Sequence, residues 1–94
     1  MTNPTLDSVL ADISCHLAMA GEAEWSIALE RIRAKHSGTP PDQTAIREIL
    51  ALYGGMGSLN DLVLYDQGRV LVQETERLDT LRRKLFDMAK SMLR

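Results

Sequence analysis

The carboxy-terminal quarter of the chain carries the pattern that most restricts the fold. Leucine or methionine recurs every seven residues at Leu71, Leu78, Leu85 and Met92. Leu81 and Met88 occupy the intervening position of this repeat, and Glu74 is the exception. An apolar stripe with this period predicts an amphipathic helix of about 20 residues or more. We expect it to begin between residues 70 and 75 and to end near Leu93.

Apolar residues at helical spacing predict three shorter helices before it. The first should cover residues 4–20, with Asn3 as its N-cap and Pro4 at its first position. The second should follow Gly21 directly and end at Ser37-Gly38. Because the link at Gly21 is short, these two helices should form an antiparallel hairpin.

The third helix should start after Thr39-Pro40-Pro41, with Asp42 as its cap. Its predicted stripe reaches Tyr53, and Gly54 is the expected left-handed residue that ends it. The chain has 94 residues, of which 45% are hydrophobic and 26% charged, and these are ordinary globular values. We therefore predict an all-α fold: a single helical domain over residues 1–94, built as a small bundle of four to five helices with a long C-terminal helix.

The segment from Gly54 to Asp61 departs from helix-forming composition, and two interpretations of it remain open. It can be a tight connection in which Met56 fills the core while Ser58 and Asp61 cap a following helix. It can also be a loop that approaches a ligand such as a phosphate, since glycines and free N–H groups suit an anion. The candidate ligand-binding residues are Gly55, Gly57, Ser58, Asn60 and Asp61. The spacing matches neither a P-loop nor a dinucleotide fingerprint.

Residues 62–72 are also open to two interpretations. Leu59, Leu62 and Val63 favour a short fourth helix, which is the interpretation that we prefer. The alternative is a minor two-stranded ribbon of residues 62–65 against residues 69–72, because Asp66-Gln67-Gly68 is typical of a turn.

Several classes of function find no support in the sequence. Cys15 is the single cysteine, so no intrachain disulfide can form, and a free cysteine beside an apolar stripe is usually a small core residue. The two histidines and Cys15 lack metal-ligand spacing, so we expect no metal, no cofactor and no catalytic residues.

Neither a signal peptide nor a membrane span is recognisable, so we expect a cytoplasmic protein. Asp79 and Asp87 flank the basic run 82–84, which does not favour nucleic-acid binding.

Charge is unevenly distributed along the chain, whose formal net charge is −2. Residues 77–94 contain six bases and two acids, which gives +4, and residues 1–76 therefore carry −6. An acidic surface would steer a basic partner protein toward the chain. We expect that surface to include Asp7, Asp12, Glu22, Glu24, Glu30, Asp42 and Glu48. The wide stripe of the C-terminal helix could in addition form a homo-oligomer.

One block of the chain reads Gly54-Gly55-Met56-Gly57-Ser58-Leu59-Asn60-Asp61-Leu62, and the run Leu78-Asp79-Thr80-Leu81-Arg82 follows it. Together they resemble a family of small uncharacterised bacterial proteins of about a hundred residues. Members carry a Gly-Gly-Met-Gly-Ser-Phe-Asn-Asp-Leu block, followed by a polar turn and a final helix. The resemblance covers roughly residues 46–90, and Leu59 departs from the aromatic residue of the family block. It implies no established activity, but such proteins often serve as immunity or accessory proteins.

We therefore predict a non-enzymatic protein-interaction module, in its most specific form an immunity or accessory protein that binds a toxin or an enzyme. The alternative is a small-ligand or phosphate-binding protein, an enzyme included, that uses the loop from Gly54 to Asp61.

Overall fold

The computed structural model describes residues 5–35, 43–54 and 57–93. Their elements are α1 (Leu6–Met19), α2 (Ala23–Lys35), α3 (Gln43–Ala51), a 3-10 turn (Leu59–Asp61), β1 (Tyr65–Asp66), β2 (Arg69–Val70) and α4 (Val72–Met92). The predicted all-α class, the four helices, the long C-terminal helix and the minor ribbon are all confirmed. None of the helices in these ranges is long and apolar enough to cross a membrane.

Helix α1 covers Leu6–Met19, within the predicted range of residues 4–20. The N-cap is Thr5, whose hydroxyl oxygen accepts a hydrogen bond from the Ser8 N–H at 3.1 Å. The Thr5 N–H donates in return to the Ser8 hydroxyl oxygen at 3.0 Å. This reciprocal capping box satisfies two amide groups that have no partner within the helix.

One hydrophobic cluster forms the core of the described residues. Its members are Leu6, Val9, Leu10, Ile13, Leu17, Leu29, Ile46, Ile49, Leu59, Leu64, Leu78, Leu81, Leu85 and Ala89. The seven-residue repeat of α4 is buried in its middle, but Met92 and Leu93 are exposed. Val72, the first residue of α4, is 59% exposed. The stripe is therefore already covered within one chain along most of its length.

Helices α1 and α2 form the predicted antiparallel hairpin, with Gly21 in the left-handed region between them at φ 87°. Leu29 is the one fully buried residue of α2. Two serines join the helices: the hydroxyl oxygens of Ser14 and Ser26 lie 3.0 Å apart, and the Ser26 hydroxyl donates to the Ser14 carbonyl. Cys15 is exposed, so the expectation of a small core cysteine is wrong.

The region after α3 contains both elements that the sequence offered as alternatives. The short helix is a single 3-10 turn, and the ribbon that follows it has two residues in each strand. Tyr65 pairs with Val70, and Gln67 and Gly68 turn the chain with φ values of 50° and 80°, as a two-residue hairpin requires. The strands are shorter than predicted because the Leu64 N–H donates to the Thr75 hydroxyl of α4 instead of to a neighbouring strand.

The glycine segment differs from its predicted capping. Gly54 does not adopt a positive φ, and Gly57 does so instead, at 76°. Ser58 and Asp61 form no capping box, because the Ser58 hydroxyl is buried without a hydrogen-bond partner. A backbone hydrogen bond of 2.8 Å from the Leu59 N–H to the Leu52 carbonyl closes the loop. The predictions for Asn3-Pro4, Ser37-Gly38, Asp42 and Met56 fall on residues outside the described ranges.

Candidate functional site

A cleft of about 270 Å³ lies between the glycine segment and α4. We call it the α4 cleft, and its lining residues are Tyr53, Asn60, Asp79, Arg82, Arg83 and Phe86. Tyr53 and Asn60 precede α4 in the chain, and the other four residues belong to two consecutive turns of α4. Its aromatic, amide and charged groups are what a pocket needs in order to orient a small ligand.

Arg82 fixes one wall of the cleft, and only 8% of it is exposed. Its Nη1 donates to the carbonyl oxygens of Leu59 at 3.0 Å and of Leu62 at 2.8 Å. Its Nε and Nη2 lie 2.9 and 2.8 Å from Asp79 Oδ1. Most of the guanidinium N–H donors therefore bind the loop backbone and Asp79, so the main role of Arg82 is to support the site.

Tyr53 and Phe86 form the aromatic part of the lining. Their ring centroids are 5.1 Å apart and the rings are tilted by 60°, a favourable edge-to-face type of arrangement. The Tyr53 hydroxyl donates to the backbone carbonyl of Arg82. Burial raises the pKa of Tyr53 above its ordinary value, so this phenol stays protonated and neutral at physiological pH.

The cation on the open side of the cleft is Arg83. Its side chain is 76% exposed, and its Nη2 lies 3.8 Å from Asp79 Oδ2. Two helical turns after Arg83, Lys90 Nζ lies 5.6 Å from the centre of the Phe86 ring. Since Arg82 already neutralises much of the charge of Asp79, Arg83 and Lys90 give this side of the cleft a positive balance.

The structure separates the predicted ligand-binding residues. Asn60 is exposed and lines the α4 cleft. Gly57 and Asp61 are exposed but do not line it, and Ser58 is buried. Gly55 lies outside the described residues. Among the predicted site residues that the structure describes, Asn60 alone is brought to a cleft together with charged groups of α4.

The remaining candidates for chemistry are dispersed. No group of three or more His, Cys, Asp or Glu side chains that could hold a metal ion occurs within the described parts of the chain. The His16 ring nitrogen Nε2 lies 2.7 Å from the Glu74 carbonyl oxygen, so this histidine links α1 to the first turn of α4. Cys15, the residue before it, is exposed.

A second surface stands out because it is apolar and exposed. Tyr65, Val70 and Val72 are 55%, 49% and 59% exposed, and we call these three residues the ribbon patch. Tyr65 and Val70 are direct cross-strand partners, so their side chains are neighbours on one face of the ribbon. Large apolar side chains gathered at one exposed place are typical of a protein-binding surface.

The predicted acidic surface is only partly available to a partner. Asp7 and Glu30 both bind Arg33, at 3.1 and 2.7 Å. Glu48 binds Lys35 at 2.8 Å, and Asp42 lies outside the described residues. Asp12 and Glu24 are exposed, and Glu22 is half-buried. These ion pairs neutralise much of the negative charge that the sequence predicted for this acidic surface.

Arg82 is the residue that the sequence interpretation missed, since it was grouped with Arg83 and Lys84 in an exposed basic run. Its position carries a signal, because it lies four residues after Leu78 and three before Leu85. That spacing puts it on the buried stripe of α4. A charged residue in an apolar stripe indicates a buried polar partner, although the sequence does not say which one.

Comparison with known proteins connects the chain to a family. Neither the search of curated proteins nor the search of solved structures finds a match. A family model described as "Domain of unknown function" (DUF6966) matches residues 18–72, from the end of α1 to the first residue of α4. The core, however, also draws on most of α1 and α4, so the folded unit is larger than the matched stretch. Because the match covers 55 of the 94 residues, the chain belongs to the family of the domain of unknown function DUF6966.

Proposed function

We propose that this protein is a non-enzymatic protein-interaction module that binds a basic partner protein through the ribbon patch. The observation that carries the proposal is the exposure of Tyr65, Val70 and Val72. Tyrosine is enriched among the residues that dominate binding energy at interfaces, because it buries a large area at a small entropic cost. Exposed valines beside it supply the apolar surroundings that keep water away from such a contact.

The charge around the ribbon patch favours a partner of the opposite sign. Residues 61–77 contain four acids and two bases, which gives a net charge of −2. Within this stretch Asp61, Asp66, Glu74 and Glu76 are all exposed. An apolar centre with an acidic margin is complementary to an apolar or aromatic side chain surrounded by lysines and arginines. Electrostatic attraction of this kind raises the association rate and weakens as salt is added.

In its most specific form, the proposal is an immunity or accessory protein of a bacterium that neutralises a toxin or regulates an enzyme. The basic character of the expected partner supports this form, because proteins that act on nucleic acids are commonly basic. A homo-oligomer through α4 has less support, since α1 and α3 already cover the middle of its stripe.

The test is a capture experiment followed by reconstitution. The tagged protein is crosslinked in its native host, and any captured protein is then purified and titrated against it by calorimetry. The informative variant is Tyr65→Ser combined with Val70→Thr, which changes only exposed side chains. The matched control is Ile27→Thr, which also removes an exposed apolar side chain but on α2.

We expect a basic partner whose affinity falls by about thirtyfold in the double variant, as the loss of a dominant contact produces. The control should bind within about twofold of the wild type. Added salt should slow association, and an enzymatic activity of the partner should fall on binding. A partner that binds both variants equally well would contradict the assignment of the ribbon patch, and an acidic partner would contradict the charge argument.

A further inference from the structure

We propose that the α4 cleft is a binding site for a small carboxylate with an apolar body, such as an arylalkanoate or the terminal residue of a peptide. This site is separate from the ribbon patch, and none of its lining residues belongs to that patch. The inference therefore does not depend on the proposed partner protein.

The size of the cleft limits the ligand. A volume of about 270 Å³ corresponds to roughly nine water molecules in the liquid. That space accommodates about ten non-hydrogen atoms, which is enough for the ring and acid group of the ligand, while the remaining atoms of a peptide would lie outside the opening. A ring and a short acid chain fit this limit.

The aromatic lining selects an apolar body. Phe86 is half-buried, and its ring packs against that of Tyr53 and lies 5.6 Å from Lys90 Nζ. The Tyr53 hydroxyl is occupied by the Arg82 carbonyl, so the phenol offers its ring and not its polar group. A flat apolar ligand can pack against these rings without leaving a polar group unsatisfied.

The polar groups at the opening of the cleft favour a ligand that carries a single negative charge. Arg83 is exposed and holds Asp79 only loosely, at 3.8 Å, so its guanidinium can turn toward a ligand. A guanidinium binds the planar, two-oxygen carboxylate through paired hydrogen bonds, and the Asn60 amide can donate from the other side. Asp79 also lines the cleft and Asp87 lies nearby on α4. Their charges disfavour the double charge of a phosphate more than the single charge of a carboxylate.

Nuclear magnetic resonance with purified full-length protein tests the site directly. The probes are 3-phenylpropionate, N-acetyl-phenylalaninate and the uncharged N-acetyl-phenylalaninamide, with inorganic phosphate as a fourth. The signals to follow are the Asn60 side-chain amide, the Arg83 Nε–H and the Phe86 ring. For ligands of this size we expect saturable shifts with dissociation constants in the millimolar range.

The variants identify the contact. Arg83→Gln should weaken binding of both carboxylates about tenfold, because it removes the charge that holds them. Lys84→Gln is the matched control: it removes the same charge from the next exposed residue of the same helix, and it should weaken binding less than twofold. Both positions are exposed, so melting temperatures should confirm that the two variants remain folded.

The probes distinguish the source of the carboxylate. Tighter binding of N-acetyl-phenylalaninate indicates a peptide terminus, and equal binding of the two acids indicates a free small carboxylate. Both of these outcomes support the site. Equal binding of the uncharged amide, shifts with phosphate alone, absence of saturable shifts, or equal weakening by the two variants would overturn it. None of these results depends on the ribbon patch, so this inference and the proposed function can fail separately.

Discussion

The α1–α2 hairpin and the segment 52–71 are held together in opposite ways. In the hairpin, each helix satisfies its own backbone, and two polar contacts join the helices: the serine pair Ser14 and Ser26, and the exposed ion pair of Asp7 and Arg33. Six buried apolar residues of α1 and α2 supply the rest of the attachment. The hairpin thus depends on apolar packing, with one buried polar contact at its centre.

The described part of the segment 52–71 contains only a 3-10 turn and two short strands, so many of its backbone groups need partners elsewhere. Arg82 of α4 binds the carbonyls of Leu59 and Leu62. Thr75, also of α4, accepts from the N–H of Leu64, whose side chain is fully buried. Irregular backbone can be buried only when such partners are present, because an unsatisfied amide or carbonyl destabilises the folded state. The segment therefore depends on polar side chains of α4.

The largest effect that we predict comes from the residue that holds this segment. Arg82→Met keeps the apolar stem but leaves the carbonyls of Leu59 and Leu62 without their donor. We expect the free energy of unfolding to fall by about 3 kcal/mol, as for other buried charged groups whose partner is removed. Urea denaturation measures it. The control Arg83→Met, one residue further on and exposed, should change the value by less than about 0.5 kcal/mol. Similar losses in both variants would mean that Arg82 acts only as a surface charge.

The same contrast explains how far the sequence could predict the structure. Stripes of apolar residues identified all four helices, and α4 begins and ends at Val72 and Met92, close to the predicted bounds. Helical periodicity is a local property, so it can be read from one segment at a time. The role of Arg82 could not be read in this way, because its partners are carbonyls brought to it by the path of the loop.

The candidate site follows the same rule. Asn60, one of the candidate ligand-binding residues, lines a cleft, and polar residues in a glycine-rich loop are often exposed. Its companions Arg83 and Phe86 come from another element more than twenty residues away in the chain. Ser58 was expected to cap a helix, but the 3-10 turn leaves its hydroxyl buried without a partner. Tertiary contacts of this kind leave no periodic signal in the sequence.

The second prediction concerns the other side-chain contact of the segment. Thr75→Val preserves the shape of the side chain but removes the oxygen that accepts from the Leu64 N–H. Because that amide belongs to a fully buried residue, we expect a loss of about 1.5 kcal/mol. Thr80→Val is the matched control on the same helix, since the exposed Thr80 hydroxyl donates only to the Glu76 carbonyl one turn earlier. Equal losses in thermal or urea denaturation would rule out a special role for Thr75.

A smaller and pH-dependent effect is expected at Tyr53, where α3 meets α4. Tyr53→Phe removes the hydrogen bond to the Arg82 carbonyl and should lower stability at neutral pH by about 1 kcal/mol. Burial raises the pKa of Tyr53 above the ordinary value of about 10. Above pH 10 the unfolded chain therefore releases a phenolic proton that the folded chain retains, so stability falls as the pH rises.

Because the variant lacks this proton, the decline of its stability above pH 10 should be shallower than that of the wild type. Denaturation curves collected on both sides of pH 10 measure the difference. Tyr65→Phe, on the exposed ribbon, serves as the control and should leave the stability at neutral pH unchanged. Parallel alkaline declines in wild type and Tyr53→Phe would show that Tyr53 is not buried as described.

The smallest changes in stability that we expect differ in sign between the α1–α2 hairpin and the segment 52–71. Ser14 and Ser58 are both buried, but only the Ser14 hydroxyl has hydrogen-bond partners. Ser14→Ala should lower the free energy of unfolding by about 1 kcal/mol, because it removes the hydrogen bonds of the Ser14 hydroxyl to the carbonyl and hydroxyl oxygens of Ser26. Ser58→Ala should raise it by about 0.5 kcal/mol, since burying an unpaired hydroxyl is unfavourable and alanine removes that penalty. A loss of stability in Ser58→Ala would show that this hydroxyl has a partner in solution, such as a buried water molecule. Opposite signs in the two variants would confirm that the hairpin satisfies its buried polar groups and that the loop does not.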